Sequence, residues 1–374
     1  MRTALAILLL VLVSSPCSAQ LLEAHVDGRI ETLSIAAGDA DFAATGPVWW
    51  RASLTRFGES FVRLHFSVES SDGQPPSIVG VEGDRGGRFS YAVSDIGPEG
   101  VWTGLLPSGT ILVSLLGLER PAGLKLAVDR ILIESETGTL FSTWGGVDET
   151  LHINDPAVPE AIRALAAPVA RLSFVRGGLP RSCTGFLVSD DVILTNEHCV
   201  ADAESCRSMV AIFGYEYDGN NRLSFGRQFR CRAAEVIRSS FDLDAALVTL
   251  DGPAGVTFGK VALADADAAP AAPLVLIQHP GGDPKQVSFI NCAVLASPVD
   301  GRRTASDVAH SCDTAGGSSG APVFDADGRV VALHHYGFAE GQVEAWTDNR
   351  AVLASGIQAW LREPDSPEPA HGPR

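Results

Sequence analysis

A short stretch rich in small residues, between His310 and Pro322, contains the side chains best suited to covalent chemistry. It includes Gly317, Ser318 and Ser319, and the residues that follow read as two short strands joined by a tight turn. Small residues next to strands indicate that the backbone approaches another group closely. We therefore predict that Ser319 is a nucleophile and that the N–H groups of Gly317 and Ser319 form its oxyanion hole.

A serine hydroxyl needs an imidazole that takes its proton and a carboxylate that orients the imidazole. His198 is the best candidate for the imidazole, because it follows the apolar strand 192–195 and adjoins Cys199, which a disulfide could fix. Asp244 is the best candidate for the carboxylate, because it lies where a polar loop enters an apolar strand. Asp242, two residues earlier, is the alternative.

Three motifs resemble the trypsin/chymotrypsin superfamily and occur in its order: residues 183–188 with 194–199, residues 244–247, and residues 317–322. The branch that they resemble most is the secreted bacterial one that includes glutamyl and lysyl endopeptidases. The resemblance implies an all-β fold, with a C-terminal pair of antiparallel β-barrels of the chymotrypsin type and the site in the cleft between them. It also implies that His198 is the general base and acid, that Asp244 orients it and that Ser319 attacks the scissile carbonyl.

Two positions near the serine separate this chain from related patterns. Ser318 stands where the digestive branch has the aspartate that pairs with the freed N-terminus, so the resemblance implies that this activation switch is missing. Ala321 stands where the elbow of an α/β-hydrolase has its second glycine, and no helix pattern follows, so that fold is set aside.

The resemblance places the primary substrate pocket in two stretches beside the nucleophile: Asp313 and Thr314 before it, and His334, His335, Tyr336 and Gly337 after it. Asp313 matches the position that selects Lys or Arg in trypsin-like enzymes. Thr314 with a histidine of the later strand resembles the glutamyl endopeptidases, in which neutral and basic groups receive a carboxylate. Because a buried, unpaired aspartate would repel a glutamate side chain, the orientation of Asp313 decides, and we slightly favour Lys or Arg.

The remaining sequence divides into segments of different composition. Residues 20–155 lack cysteine and alternate short apolar runs with Gly- and Pro-rich turns, which predicts a β-sandwich that serves as an accessory domain or pro-domain. Residues 156–363 form the predicted protease domain, and the segment 351–361 near its end has the apolar spacing of a helix. Residues 364–374 are polar and proline-rich, as in a disordered tail.

The first 19 residues combine a basic start, a short apolar run and small residues at the end, a pattern typical of a cleaved signal peptide. We therefore expect a secreted or periplasmic protein that is free of the membrane after cleavage. The formal net charge of −17 argues against nucleic acid as a partner. The expected partner is a protein or peptide substrate, and we expect neither a cofactor nor a metal, since no cysteine and histidine have zinc-ligand spacing.

Loss of Cys17 with the signal peptide leaves six cysteines, and an even number in an oxidising compartment suggests three disulfides. Fifteen pairings are possible in principle. Three pairs are favoured, although the last four cysteines could pair otherwise: Cys183–Cys199, beside the candidate base; Cys292–Cys312, from a predicted hairpin; and Cys206–Cys231, by elimination.

The leading hypothesis is a secreted serine endopeptidase that hydrolyses peptide bonds through an acyl-enzyme. The alternative is a non-catalytic, protease-like protein that binds carbohydrate or protein. The presence of all three catalytic residue types together with the oxyanion glycine favours the enzyme.

Overall fold

The computed structural model describes residues 24–69, 73–97, 99–134, 141–200, 202–232, 238–337 and 348–363. The predicted signal peptide and the predicted C-terminal tail lie outside these residues. The first part of the chain consists of strands β1 (His25–Val26), β2 (Gly28–Ala37), β3 (Val48–Glu69), β4 (Ser77–Gly83), β5 (Arg88–Ala92), β6 (Val101–Trp102), β7 (Leu106–Gly117), β8 (Lys125–Glu134), β9 (Phe141–Ser142) and β10 (Leu151–His152).

Seven of these strands form one antiparallel sheet in the order β2-β8-β3-β7-β4-β5, with β6 paired to β3. Alternating side chains of β4, such as Val79 and Val81, are buried, as expected for strands that cover one core. The rings of Phe66 in β3 and Tyr91 in β5 lie 6.2 Å apart, although two strands separate β3 from β5 in the sheet. Because adjacent strands are about 4.8 Å apart, the sheet must curl around this core.

The rest of the chain is also built mainly of strands. The strands are β11 (Val169–Arg176), β12 (Leu179–Leu187), β13 (Val192–Thr195), β14 (Val210–Tyr217), β15 (Leu223–Arg230), β16 (Arg238–Ser240), β17 (Ala245–Thr249), β18 (Val275–Gln278), β19 (Gln286–Ser288), β20 (Val294–Val299), β21 (Asp307–His310), β22 (Thr314–Ala315), β23 (Pro322–Phe324), β24 (Val330–Tyr336) and β25 (Asn349–Leu353). The helices are short: α1 (Glu160–Arg163), α2 (Ala203–Ser208), α3 (Ala254–Phe258) and α4 (Ala354–Arg362).

These strands make two antiparallel sheets, in the orders β15-β14-β11-β12-β13-β17-β16 and β10-β19-β18-β23-β24-β25-β21-β20. Phe186 and Leu194 of the first sheet share a buried cluster with Ile277 and Leu333 of the second, so the two sheets pack against each other. Helix α4 buries Ile357 in the same cluster. The apolar spacing of residues 351–361 predicts this helix, but residues 351–353 belong instead to strand β25, because they pair with β21 and β24. The architecture is all-β and of the chymotrypsin type.

The first part of the chain also completes the sheets of the second. Strand β1 pairs with β12, and β10 pairs with β19. Buried Arg171 of β11 forms ion pairs with Asp27 and with Glu134, the latter at 2.9 Å. Buried Arg63 of β3 donates to the carbonyl of Ser208. The curled sheet is therefore joined to the second part by buried ionic and hydrogen-bonded contacts as well as by the connecting chain.

Candidate active site

Strands β13 and β17 bring His198 and Asp244 together. The two strands are paired, with Thr195 opposite Ala246, so the loops that leave and enter them meet at one edge. His198 Nδ1 lies 2.8 Å from Asp244 Oδ2, and the His198 backbone N–H donates to Asp244 Oδ1 at 3.0 Å. Asp244 is fully buried, whereas Asp242 is exposed. The geometry of the described residues thus places Asp244, of the two alternatives, against the imidazole.

The carboxylate of Asp244 has two further cationic neighbours. Arg302 lies 3.3 Å from Oδ1 and His335 Nδ1 lies 3.2 Å from Oδ2. Burial by itself raises the pKa of Asp244, but His198, His335 and Arg302 outweigh it and hold this pKa well below its usual value. The carboxylate is therefore ionised and can orient the imidazole and stabilise its protonated form.

Strand β12 links the loop of His198 to the turn of Ser319. Cys183 in this strand is bonded to Cys199, the residue that follows His198. The next residue, Thr184, donates its N–H to the carbonyl of Ser319 at 2.8 Å and its hydroxyl to the carbonyl of Gly317 at 2.9 Å. Consecutive residues of one strand thus hold the two chain segments that carry the predicted base and nucleophile.

Two glycines allow the turn to fit this crowded position. Gly317 has a φ of 95°, and a Cβ there would lie 2.7 Å from the carbonyl oxygen of His279. Gly320 has a φ of 86°, and its Cβ would lie 2.0 Å from the carbonyl oxygen of Thr184. Within the described part of the chain, the backbone N–H groups of Gly317 and Ser319 donate to no other backbone group. Both predicted oxyanion-hole donors are therefore unused by backbone acceptors in this part of the chain.

Ser318, between these two donors, is turned into the protein. It is fully buried, and its hydroxyl accepts the N–H of Ala315 at 3.0 Å. The hydroxyl of Ser318 thus has a hydrogen-bond partner within its own turn, and no charged group is needed to satisfy it.

Residues 141–149 lie against the predicted pocket residues, which sequence analysis did not anticipate. Strand β9 pairs with β22, so that Ser142 is opposite Thr314. The carboxylate of Asp313 accepts the N–H of Trp144 at 2.6 Å on one oxygen and the N–H of Glu149 at 2.9 Å on the other. Burial raises the pKa of Asp313, and these two hydrogen bonds oppose that rise. Both oxygens of the predicted specificity residue are thus bound by this segment.

Two of the other predicted pocket residues, Thr314 and His334, are buried. Thr314 is buried, and its hydroxyl has no hydrogen-bond partner among the described residues. His334 Nδ1 lies 3.1 Å from His310 Nε2. Burial lowers the pKa of His310 to about 3 and holds the pKa of His334 well below its usual value, so both imidazoles are neutral. This pair could accept a proton if a carboxylate came close.

Tyr336 and Gly337, at the end of β24, are half-buried. A Cβ on Gly337 would lie 2.4 Å from Ser142 Oγ and 3.4 Å from Thr314 Oγ1. The two stretches that the resemblance assigned to the pocket therefore meet at Ser142. His335 does not belong with them, because its ring lies between Asp244 Oδ2 and Asp307 Oδ2.

The cysteines form three disulfides in the structure: Cys183–Cys199, Cys206–Cys231 and Cys292–Cys312. The last of these fixes the residue that precedes Asp313. Cys183, Cys199 and His198 lie close enough together to hold a metal ion, but both sulfurs are consumed by the disulfide. No helix in the described part of the chain is both long and apolar enough to cross a bilayer.

Part of the chain matches known proteins. Residues 183–333, which include His198, Asp244 and Ser319, match the family of the trypsin-like peptidase domain. Residues 183–333 thus resemble a trypsin-like peptidase domain. Solved proteases match parts of the chain at low sequence identity. A Glu endopeptidase matches with a TM-score of 0.41 and 20% identity, over 58% of this chain and 95% of its own. A serine endoprotease from Yersinia pestis matches with a TM-score of 0.41 and 17% identity, over 54% and 64%.

Two relatives are similar in sequence to part of the chain. An uncharacterized protein y4fB of Sinorhizobium fredii (strain NBRC 101917 / NGR234) is 32% identical over 172 residues, which are 41% of this chain and 25% of the relative. A secreted RxLR effector protein 73 of Plasmopara viticola is 31% identical over 168 residues, which are 41% of each chain. The match thus covers less than half the length of either relative.

Proposed function

We propose that this protein is an exported serine endopeptidase that cleaves peptide bonds through an acyl-enzyme on Ser319. In this proposal His198 takes the proton of the Ser319 hydroxyl and later gives it to the leaving amine, while Asp244 orients the imidazole. The N–H groups of Gly317 and Ser319 receive the negative charge of the tetrahedral intermediate. The observation that carries the proposal is the buried, ionised Asp244 on His198 Nδ1, inside the region that matches the peptidase family.

Covalent labelling tests this proposal without knowledge of the substrate. A fluorophosphonate probe should label the folded wild-type protein, and the label should disappear in Ser319→Ala and His198→Ala. Ser224→Ala, a matched change at an exposed serine of β15, should label like wild type. Folded wild-type protein that takes up no label would instead support the non-catalytic binding protein.

Export is the second element of the proposal. Three disulfides favour an oxidising compartment, and the pattern of residues 1–19 favours a cleaved signal peptide. Mass spectrometry of the protein recovered outside the cytoplasm would give its N-terminus. An N-terminus near residue 20 would mean that the first part of the chain is kept as an accessory domain, and one beyond residue 150 would mean that it is removed as a pro-domain.

The side chain that the enzyme prefers on the acyl side of the scissile bond depends on Asp313. Lys or Arg, slightly favoured on sequence, requires a carboxylate free to meet the incoming cation. Both oxygens of Asp313 instead accept N–H groups of residues 141–149, whereas the hydroxyl of Thr314 is buried with no partner among the described residues. This arrangement supports the alternative preference for a glutamate side chain, which Thr314 and His334 would receive.

Cleavage-site profiling of a peptide library decides between the two preferences. We expect acidic residues to dominate, and we expect Thr314→Val to weaken that preference while Asp313→Asn leaves it in place. A dominant Lys or Arg signal that Asp313→Asn abolishes would establish the cationic preference instead.

A further inference from the structure

We propose that His335, held between Asp244 and Asp307, is a positioning residue that extends the triad into a chain of alternating acids and bases. The chain would run from Ser319 through His198, Asp244 and His335 to Asp307. This inference rests on the proposed function, since it concerns how the same base is oriented. It assigns a role to two buried residues, His335 and Asp307, that the acyl-transfer steps themselves do not use.

The geometry of His335 is that of a bridge between two carboxylates. Its Nδ1 lies 3.2 Å from Asp244 Oδ2, the oxygen that also faces His198, and its Nε2 lies 2.7 Å from Asp307 Oδ2. Asp244 and Asp307 are fully buried and His335 is nearly so. The other oxygen of Asp307 accepts the hydroxyl of Ser306 at 2.7 Å. Water is therefore excluded from both contacts.

With both carboxylates ionised, this geometry requires a charged imidazole. A carboxylate oxygen can only accept, so each ring nitrogen that faces one must carry a hydrogen. Burial by itself lowers the pKa of His335, but Asp307 and Asp244 outweigh it and raise this pKa to about 9. At neutral pH the bridge is thus an imidazolium between two anions, and each of its hydrogen bonds is assisted by charge.

Other charged and titratable groups surround this bridge on the neighbouring elements. Arg302 offsets the charge of Asp244 and also bonds Glu197 at 3.0 Å. Burial, and then the neighbouring imidazoles, lower the pKa of His310 and of His334. Within the described part of the chain, the charged and titratable groups around His335 are, in chain order, Glu197, His198, Asp244, Arg302, Asp307, His310, His334 and Arg350.

The bridge has two effects on the base. It supplies a fourth donor to the carboxylate of Asp244, whose oxygens then face the backbone and ring of His198, Arg302 and His335, so the carboxylate cannot rotate away from the imidazole. It also places a positive charge beside Asp244, with the compensating anion of Asp307 farther from His198. The positive charge weakens the electrostatic attraction between the Asp244 carboxylate and a proton on His198.

The test removes both charges and keeps the hydrogen bonds. In the double variant His335→Gln with Asp307→Asn, one amide can donate to Asp244 while its carbonyl accepts from the other amide. His335→Gln alone would leave a buried carboxylate facing a carbonyl oxygen and is expected to fold poorly. His152→Gln, at an exposed histidine of β10, is the matched control. The readout is the rate of fluorophosphonate labelling of the full chain from about pH 5 to about pH 10.

We expect the double variant to label about tenfold more slowly at its optimum, and its acid limb to move upward by about half a pH unit, because the positive charge beside Asp244 is gone. Slower labelling with an unchanged pH dependence on the acid side would show that His335 acts only through packing. A labelling rate within twofold of wild type would show that His335 has no role in orienting the base. A wild-type protein that takes up no label would contradict the proposed function itself, which separates the two failures.

Discussion

The carboxylate of Asp313 accepts the backbone N–H of Trp144 at 2.6 Å, across 169 residues of sequence. Cys312, immediately before Asp313, is fixed by a disulfide, and Thr314, immediately after it, pairs with Ser142. The first part of the chain therefore contacts the very residues that are predicted to select the substrate. If these residues select the substrate as proposed, a change in residues 141–149 would alter specificity without contacting His198 or Asp244.

Replacing Asp313 by Asn should destabilise the protein by about 1–3 kcal/mol. An amide offers one acceptor and would turn its own donor toward the second N–H group, so one buried hydrogen bond is lost. Asp325→Asn is the control, because half-exposed Asp325 also accepts two backbone N–H groups, but both on Oδ1, an oxygen that asparagine keeps. Denaturant unfolding of both variants measures the difference, and equal losses would show that Asp313 is not a buried acceptor.

The charge on His335 should make stability fall at alkaline pH. Because the folded state raises the pKa of His335 to about 9, above its ordinary value, its contribution is fully present below about pH 6.5 and is lost as the pH rises through 9. The loss should reach about 3 kcal/mol relative to the double variant His335→Gln with Asp307→Asn. Denaturant unfolding of both proteins at several pH values tests this. Parallel pH curves would contradict the charged bridge.

The lowered pKa of Asp244 makes the opposite prediction in acid. Its contribution to stability is present above its ordinary pKa of 3.8 and is lost as the pH falls below that value toward the lower folded pKa. We expect Asp244→Asn to unfold with a shallower dependence on pH than wild type below about pH 4. Asp242→Asn, at the exposed neighbour, should follow the wild-type curve. A shallower curve for Asp242→Asn as well would show that the effect is not specific to Asp244.

Removal of Arg171 should destabilise the protein strongly, because it would leave Asp27 and Glu134 buried without their cation. We expect Arg171→Met to cost about 3–5 kcal/mol. Arg222→Met removes an exposed pair with Asp218 and should cost under about 1 kcal/mol. Thermal and denaturant unfolding of the two variants provide the comparison. A loss at Arg171 as small as that at Arg222 would mean that the two parts of the chain are held together by other contacts.

Loss of the disulfide that precedes the pocket should affect stability and the site together. Cys292 and Cys312 are 20 residues apart, so opening this loop with Cys292→Ala and Cys312→Ala should cost about 3 kcal/mol. Replacing Cys206 and Cys231, which close a loop of 25 residues, should cost a similar amount. Only the first pair leads directly into Asp313, so only that pair should also change the cleavage profile of a peptide library.

Local patterns were sufficient to indicate several features of the molecule. The apolar spacing of residues 351–361 predicts helix α4 from residue 354 onward, and the change from polar loop to apolar strand marks Asp244 as the residue before β17. The all-β architecture follows from the same alternation. Such features depend on neighbours within a few residues, which is what periodicity in a sequence records.

The contacts that sequence analysis missed join distant segments. Residues 141–149 and Asp307 carry no motif, and their partners depend on how strands register in the folded sheets. Asp307 follows a polar loop at the start of a strand, which is the pattern that identified Asp244, but it precedes no recognised motif. The pocket role predicted for His335 was plausible because neighbours in a strand share a region, yet side chains on opposite faces of β24 meet different partners.

The sheets that hold the predicted triad use strands from both ends of the described chain. His25 pairs with Ser182 in β12, and the side chain of Asn349 donates to the carbonyl of Ser142 at 3.2 Å. A chain that lacks its last strands therefore cannot complete the predicted pocket. A chain whose first residues are not yet free to fold lacks the pairing of β1 with β12. Under the proposed function, a chain exported unfolded would therefore gain proteolytic activity only after its last strands had crossed the membrane.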